Sequence, residues 1–111
     1  MRQGKVLYKG LLAGILTETN DGEYVFQYAG KYVEQHPNDF ITFTMPVTSD
    51  PYMDKRLFPF FEGLIPEGWL LEIASKSWKI NKNDRMGLLL ACCKNCIGAV
   101  SVEPILNEDE E

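Results

Sequence analysis

The sequence has little of what enzymes use for proton and metal chemistry. Its 111 residues hold one histidine, His36, and three cysteines, Cys92, Cys93 and Cys96. A lone histidine before Pro37, in a loop-like stretch, argues against a histidine-based metal site and against a Ser/His/Asp triad. No G-x-x-x-x-G-K-[ST] phosphate loop occurs, and Gly10, Gly14 and Gly22 fall in hairpin-like contexts. Acidic side chains are plentiful, but no pair sits where a proton would be shared, so they read as a solvated face. No catalytic residue, cofactor or metal is expected.

A basic stripe is also missing. Eleven Lys and Arg stand against sixteen Asp and Glu, for a net charge of −5. That balance argues against direct binding of DNA or RNA. No apolar run approaches the roughly 20 residues that cross a bilayer, so no membrane partner is expected. The start, MRQGKVLYKG, lacks the apolar core and cleavage site of a signal peptide. An odd set of bunched cysteines is no disulfide framework, and the cytoplasm is the expected compartment.

What is present is the composition of an ordinary globular domain, 45% hydrophobic and 24% charged. Residues 1–106 are expected to form one domain, monomeric when free, and residues 107–111, NEDEE, a solvated acidic tail. Val6 to Tyr8 and Leu11 to Thr19 read as strands joined by Lys9-Gly10. Alternation in the second puts Leu12, Gly14 and Leu16 on one face. Asn20-Asp21-Gly22 is a hairpin turn, because these residues tolerate positive φ. Glu23 to Tyr28 follows as a strand, and Lys31 to Gln35 as one helical turn ended at His36-Pro37. Phe40 to Val47 alternates again and is expected to be a strand, with Thr48 to Asp54 a loop.

Beyond Asp54 the pattern turns helical. Leu57 to Leu64 reads as a short helix, and Pro66 as a first-turn residue of the next, with Trp69, Leu70, Ile73, Ala74 and Trp78 at helical spacing. Asn83-Asp84 caps a third helix with an apolar stripe of Met86, Leu89, Leu90 and Cys93. Ile97 to Pro104 closes as a strand. Strands, then helices, then a returning strand indicate an α+β domain built on a curled antiparallel sheet or a small, partly open barrel with two to three helices.

Two motifs carry possible chemistry. Cys93 and Cys96 match C-x-x-C, but a redox pair needs its first cysteine at a helix N-terminus, where the dipole lowers the thiol pKa. Here it falls at a helix C-terminal end, which favours buried structural thiols. The second motif is FFEGLIPEGW, residues 60 to 69. It crowds Phe60, Phe61, Leu64, Ile65 and Trp69 around Gly63, Pro66 and Gly68. Core packing is one account of it. The other is a shaped element that presents Trp69 beside the bare backbone of Gly68, as interface tryptophans are presented.

Taken in order, KVLYKGLLAGIL, YVFQY, ITFTMPV, LFPFFEGLIPEGW and NKNDRMGLLLACCKNCIGAVSV resemble the N-terminal subdomain of HipA-type kinases, the toxins of bacterial HipBA modules. The likeness covers residues 4 to 105. Its most specific parts are Phe-Phe-x-x-Leu-x-Pro-Glu-Gly-Trp and Cys96-Ile97-Gly98-Ala99-Val100. The chain departs from that family in lacking the kinase core with its ATP site, and in Cys92-Cys93-Lys94-Asn95, where the family more often has Gly and Asp. A freestanding copy is similar to the HipS antitoxins of three-gene HipBST systems. The resemblance implies a non-enzymatic inhibitor that docks on a HipT-like Ser/Thr kinase as its missing subdomain, with a HipB-like DNA-binding protein completing a ternary complex. It implies partner contacts at Phe60, Phe61, Leu64, Pro66, Glu67, Gly68 and Trp69. The alternative is a fragment of a longer HipA-type kinase, in which the same surface packs on its own kinase core. The acidic end at residues 108–111 reads as a natural terminus and favours the freestanding form.

Overall fold

Lys9 and Gly10 both adopt positive φ, 52° and 83°. This reverses the chain tightly enough to pair β1 (Arg2–Tyr8) with β2 (Leu11–Glu18). Gly22, at φ 83°, closes the next reversal, where the Thr19 and Glu23 main chains bond at 2.8 Å. β2 thereby meets β3 (Tyr24–Tyr28). The computed structural model describes residues 2–65, 76, 84–92 and 99–105. Within them lie three helices, α1 (Gly30–Gln35), α2 (Pro59–Glu62) and α3 (Arg85–Cys92), and two more strands, β4 (Tyr52–Asp54) and β5 (Val100–Pro104). All pairings are antiparallel, in the order β4-β3-β2-β1-β5. The sheet stays open, with β4 and β5 as its edges. The expected helix from Pro66 to Trp78, the Cys93–Cys96 turn and the acidic tail lie outside the described residues.

The expected alternation in β2 is corrected by a bulge. Val6 opposes Gly14 while Leu7 opposes Leu12, leaving Ala13 as the extra residue. Its carbonyl accepts the Ala29 N–H at 2.8 Å instead. Ala13 and Gly14 are both buried, and Leu12 is left 43% exposed. Gly14 is required by close approach. A methyl there would collide with the Gln27 carbonyl and lie 2.8 Å from the Phe26 ring. That ring is fully buried between Tyr28, at 4.9 Å, and Phe61, at 5.7 Å. Around it Val6, Leu16 and Val102 from the sheet meet Phe61, Met86, Leu88 and Leu89 from the helices.

The second correction concerns residues 40–54. The expected strand Phe40–Val47 is irregular, and the expected loop contains β4. Inward packing selects Ile41 and Met45, four apart, and a turn bond from Met45 N–H to Thr42 O bends the chain between them. Strand alternation is thereby broken, and Phe43 is 78% exposed. Tyrosines satisfy the freed main-chain groups. The Tyr28 hydroxyl donates to Met45 O and accepts the Ile41 N–H. Tyr32 donates to Asp39 O, and Tyr52 to Pro46 O at 2.6 Å. Gln27 adds a bond to Ser49 O. Main-chain groups carried inward with Ile41 and Met45 have to be paired in this way.

Asp84 caps α3 as expected, its Oδ1 accepting the Gly87 N–H at 3.1 Å. The sequence gives no sign of its partner. Arg2 grips both Asp84 oxygens, at 2.8 and 3.0 Å, and also donates to Glu18 at 2.8 Å. The Tyr24 hydroxyl donates to the other Glu18 oxygen at 3.1 Å. One guanidinium thus ties β1 and β2 to the start of α3. The Arg2 hydrogen bonds hold the Asp84 carboxyl below its usual range, and the Gly87 N–H adds to the effect. Burial first, and the Glu18 contact second, push the Tyr24 hydroxyl up to about 12.

Two stability experiments follow from these contacts. Asp84→Ala removes a cap and a half-exposed, screened ion pair, and should cost about 1–2 kcal/mol at neutral pH. Because the folded-state pKa is lowered, the wild-type advantage is complete above 3.8 and fades as pH falls below that value. Urea melts of both proteins on either side of it read this directly, and an advantage that persists in acid would refute the assignment. Tyr28→Phe orphans a buried carbonyl and N–H, and should cost about 1–3 kcal/mol. Burial raises the Tyr28 hydroxyl from 10.0 to about 12. Wild-type stability should therefore hold below pH 10.0 and fall as pH climbs through about 12, as read by circular dichroism in alkaline buffers.

Candidate functional site

The FFEGLIPEGW segment begins in a single helical turn. Phe58 precedes it with extended backbone, and Pro59 takes the first helical position, where no N–H is needed. Gly63 and Leu64 continue the winding through bonds to Pro59 O and Phe61 O. This spacing sends Phe58, Phe61 and Ile65 inward and leaves Phe60 and Leu64 half-buried on the flank. Of the residues expected to contact a partner, Phe61 is 0% exposed and belongs to the core. Phe60 and Leu64 are half-buried, packed in part against that core. Pro66, Glu67, Gly68 and Trp69 lie outside the described residues.

Phe60 also forms part of something the sequence did not reveal. A groove of about 340 Å³ runs along β4, with Met45, Tyr52, Met53, Asp54, Phe58 and Phe60 in its walls. Met53 is 62% exposed there. The one sequence signal is the Tyr52-Met53-Asp54 alternation between Pro51 and Lys55, too short to stand out from the turn residues around it.

A second depression, of about 470 Å³, lies between Tyr24, Lys55, Arg56, Leu57, Glu62 and Arg85. Glu62 holds the Arg85 Nε at 2.8 and 3.0 Å, joining α2 to α3. Near α1, His36 sits at the helix end beside Tyr32, with its Nδ1 3.2 Å from Asp39. It is half-buried rather than a freely exposed loop histidine. Among the described residues no three His, Cys, Asp or Glu side chains gather as metal ligands. The shifted groups move away from neutrality: the Arg2 guanidinium up, the Tyr24, Tyr28, Tyr32 and Tyr52 hydroxyls up, and the Asp84 carboxyl down. None is poised to exchange a proton at pH 7. Among the described residues no helix is long and apolar enough to cross a membrane.

Comparison with known proteins gives a consistent result. The family model for the HipA N-terminal domain matches residues 4–103. An uncharacterized protein of Haemophilus influenzae is 32% identical over 103 residues, which span 93% of this chain and 92% of that one. A solved structure of the N-terminal domain of HipA toxin superposes with a TM-score of 0.73 at 26% identity, covering 97% of this chain and 96% of the other. The five-stranded open sheet with its helices, and the sequence pattern from Gly4 to Glu103, therefore have one explanation: the chain belongs to the HipA N-terminal domain family.

Proposed function

We propose that this chain is an antitoxin of the HipS type, which neutralises a HipT-like Ser/Thr kinase by docking where a fused HipA N-terminal subdomain would sit. The observation that carries the reading is the extent of the kinship. The match spans 92% of the Haemophilus influenzae relative, so that protein consists of little beyond this domain. A relative made of this domain and little else has binding as its available mode of action. A HipB-like DNA-binding protein would complete the assembly, and this chain itself makes no contact with nucleic acid.

The docking element is the segment from Phe60 to Trp69. Burial of Phe61 and Ile65 anchors its first half to the core, which leaves Phe60 and Leu64 on the accessible flank. Trp69 supplies the large rigid side chain on which such interfaces concentrate their energy. An anchored element docks without first being ordered, which lowers the entropic cost of association.

Co-expression with a HipT-like kinase, followed by size-exclusion chromatography and growth assays, tests the reading. A stable complex and restored growth are expected. Failure to co-elute would refute it, and would favour a fragment that packs only within a longer kinase. Trp69→Ala should weaken kinase binding roughly thirtyfold, about 2 kcal/mol, with an unchanged melting temperature. A large fall in melting temperature would place Trp69 in the core instead. The isolated chain should release no heat on titration with Mg²⁺-ATP, since no phosphate-cradling loop is present in its sequence.

A further inference from the structure

We infer that the depression beside Tyr24 is a carboxylate-binding site, and that its occupant is the acidic run of this same chain, Glu108-Asp109-Glu110-Glu111. The inference stands apart from the function proposed above and holds whether or not a kinase is the partner.

The first observation is the charge of the depression. Lys55, Arg56 and Arg85 line it, and among the described residues Glu62 is its one acid. Arg85 already holds Glu62, at 2.8 and 3.0 Å. Lys55 and Arg56 are exposed, and among the described residues no carboxylate pairs with either side chain. Asp54, just before them, accepts the Arg56 N–H at 3.1 Å and lines the other groove, not this one. Gly22 is part of the wall, and a side chain there would meet nothing within 4 Å, so the site is open to an entering group. Two adjacent cations in an open depression of about 470 Å³, on a protein of net charge −5, suit a carboxylate-rich segment.

The second observation is topology. β5 runs antiparallel to β1, and Ile105, just after it, donates its N–H to Gln3 O at 2.9 Å. One step beyond Gln3 is the row Arg2, Glu18, Tyr24 and Asp54, partners across β1, β2, β3 and β4. Tyr24 lines the depression, and Lys55 follows Asp54. β5 therefore points its C-terminal end at the end of the sheet where the depression lies. Four strand spacings separate β5 from β4, about 19 Å. The acids stand three to six residues past Ile105. Extended chain of that length reaches about 10 to 20 Å.

The third observation is the run itself. Four consecutive acids with no cation among them make the densest negative stretch in the sequence. Because they are tethered, they meet the site at an effective concentration of about a millimolar, which lets individually weak surface ion pairs sum to a populated contact. Glu62 belongs to α2, so an occupied depression adjoins the FFEGLIPEGW segment.

Amide NMR spectra of the full chain test this. They compare wild type, a variant with the run neutralised (Glu108→Gln, Asp109→Asn, Glu110→Gln, Glu111→Gln), Lys55→Gln/Arg56→Gln, and the two sets combined. Lys55 and Arg56 are exposed, so their replacement leaves folding intact, which melting curves check. Neutralising the run should move the Gly22, Arg56 and Leu57 amides and leave those of α1 in place. In the Lys55→Gln/Arg56→Gln background the same neutralisation should move none of them. Wild-type shifts should approach those of the neutralised variant as salt is raised to about 1 M, where screening acts over about 3 Å. Inorganic phosphate should move the same amides further in the neutralised variant than in wild type, because the run no longer competes. An equal response in both, or Gly22, Arg56 and Leu57 amides that ignore neutralisation, would overturn the inference. Wild-type shifts that disappear on dilution would give the site to a second copy's acidic run and overturn it as well.

Discussion

The fold depends on the contact between the Phe26 ring and the bare backbone of Gly14. Any side chain on β2 at that point would hold β3 away, and the ring would lose its seat. With the seat open, Phe26 meets Tyr28 of its own strand edge-on and Phe61 of α2 at a tilt. The bulge at Ala13 belongs to the same constraint. It sits next to Gly14 and slips β2 by one residue against β1, which leaves Leu12 exposed, and it frees a carbonyl for the turn into α1. Sheet and helices are therefore joined through aromatic contacts that one small residue makes room for.

From Tyr28 outward the method of construction changes from pleat to anchor. The loop between α1 and β4 has almost no regular structure, yet its main chain is held by side-chain hydroxyls arriving from β3, α1 and β4. This is an economical way to fix an irregular surface. The scaffold supplies rigidity, and the loop is free to carry side chains such as Phe43 that no strand would display. The same division appears in the FFEGLIPEGW segment, where Phe61 holds and Phe60 is offered.

The sequence made some of this legible and concealed the rest for identifiable reasons. Lys9-Gly10, Asn20-Asp21-Gly22 and the Asp84 cap were readable because turns and caps are local chemistry. The order of motifs was readable as a HipA N-terminal domain because the Phe-Phe…Pro-Glu-Gly-Trp block and the Cys-Ile-Gly-Ala-Val block are both distinctive. The bulge was hidden, since Leu12, Gly14 and Leu16 alternate as well as any strand, and only the partner β1 reveals the slip. Phe40 to Val47 misled for the same reason. Alternating Thr and apolar residues look like a strand until distant tyrosines claim their carbonyls. The salt link from Arg2 to Asp84 spans the chain and leaves no local trace. Phe60 and Phe61, adjacent in a motif, differ in role only because one helical turn points them apart.

The strand order has a consequence for how the molecule is made. β1, the first strand described, lies between β2 and β5, and its outer edge pairs with the last strand described. The β1–β2–β3 meander can assemble as the chain emerges, but β1 keeps an open edge until β5 arrives from the far end of the sequence. The length-dependent entropy of closing so large a loop is about 4 kcal/mol, which makes this pairing a late step. Val102, buried against Val6 across that seam, is then the residue whose arrival completes the core. A ribosome-bound chain stalled before it holds a sheet with an unfilled slot, and a strand from elsewhere that matches Val100 and Val102 is the natural competitor for it.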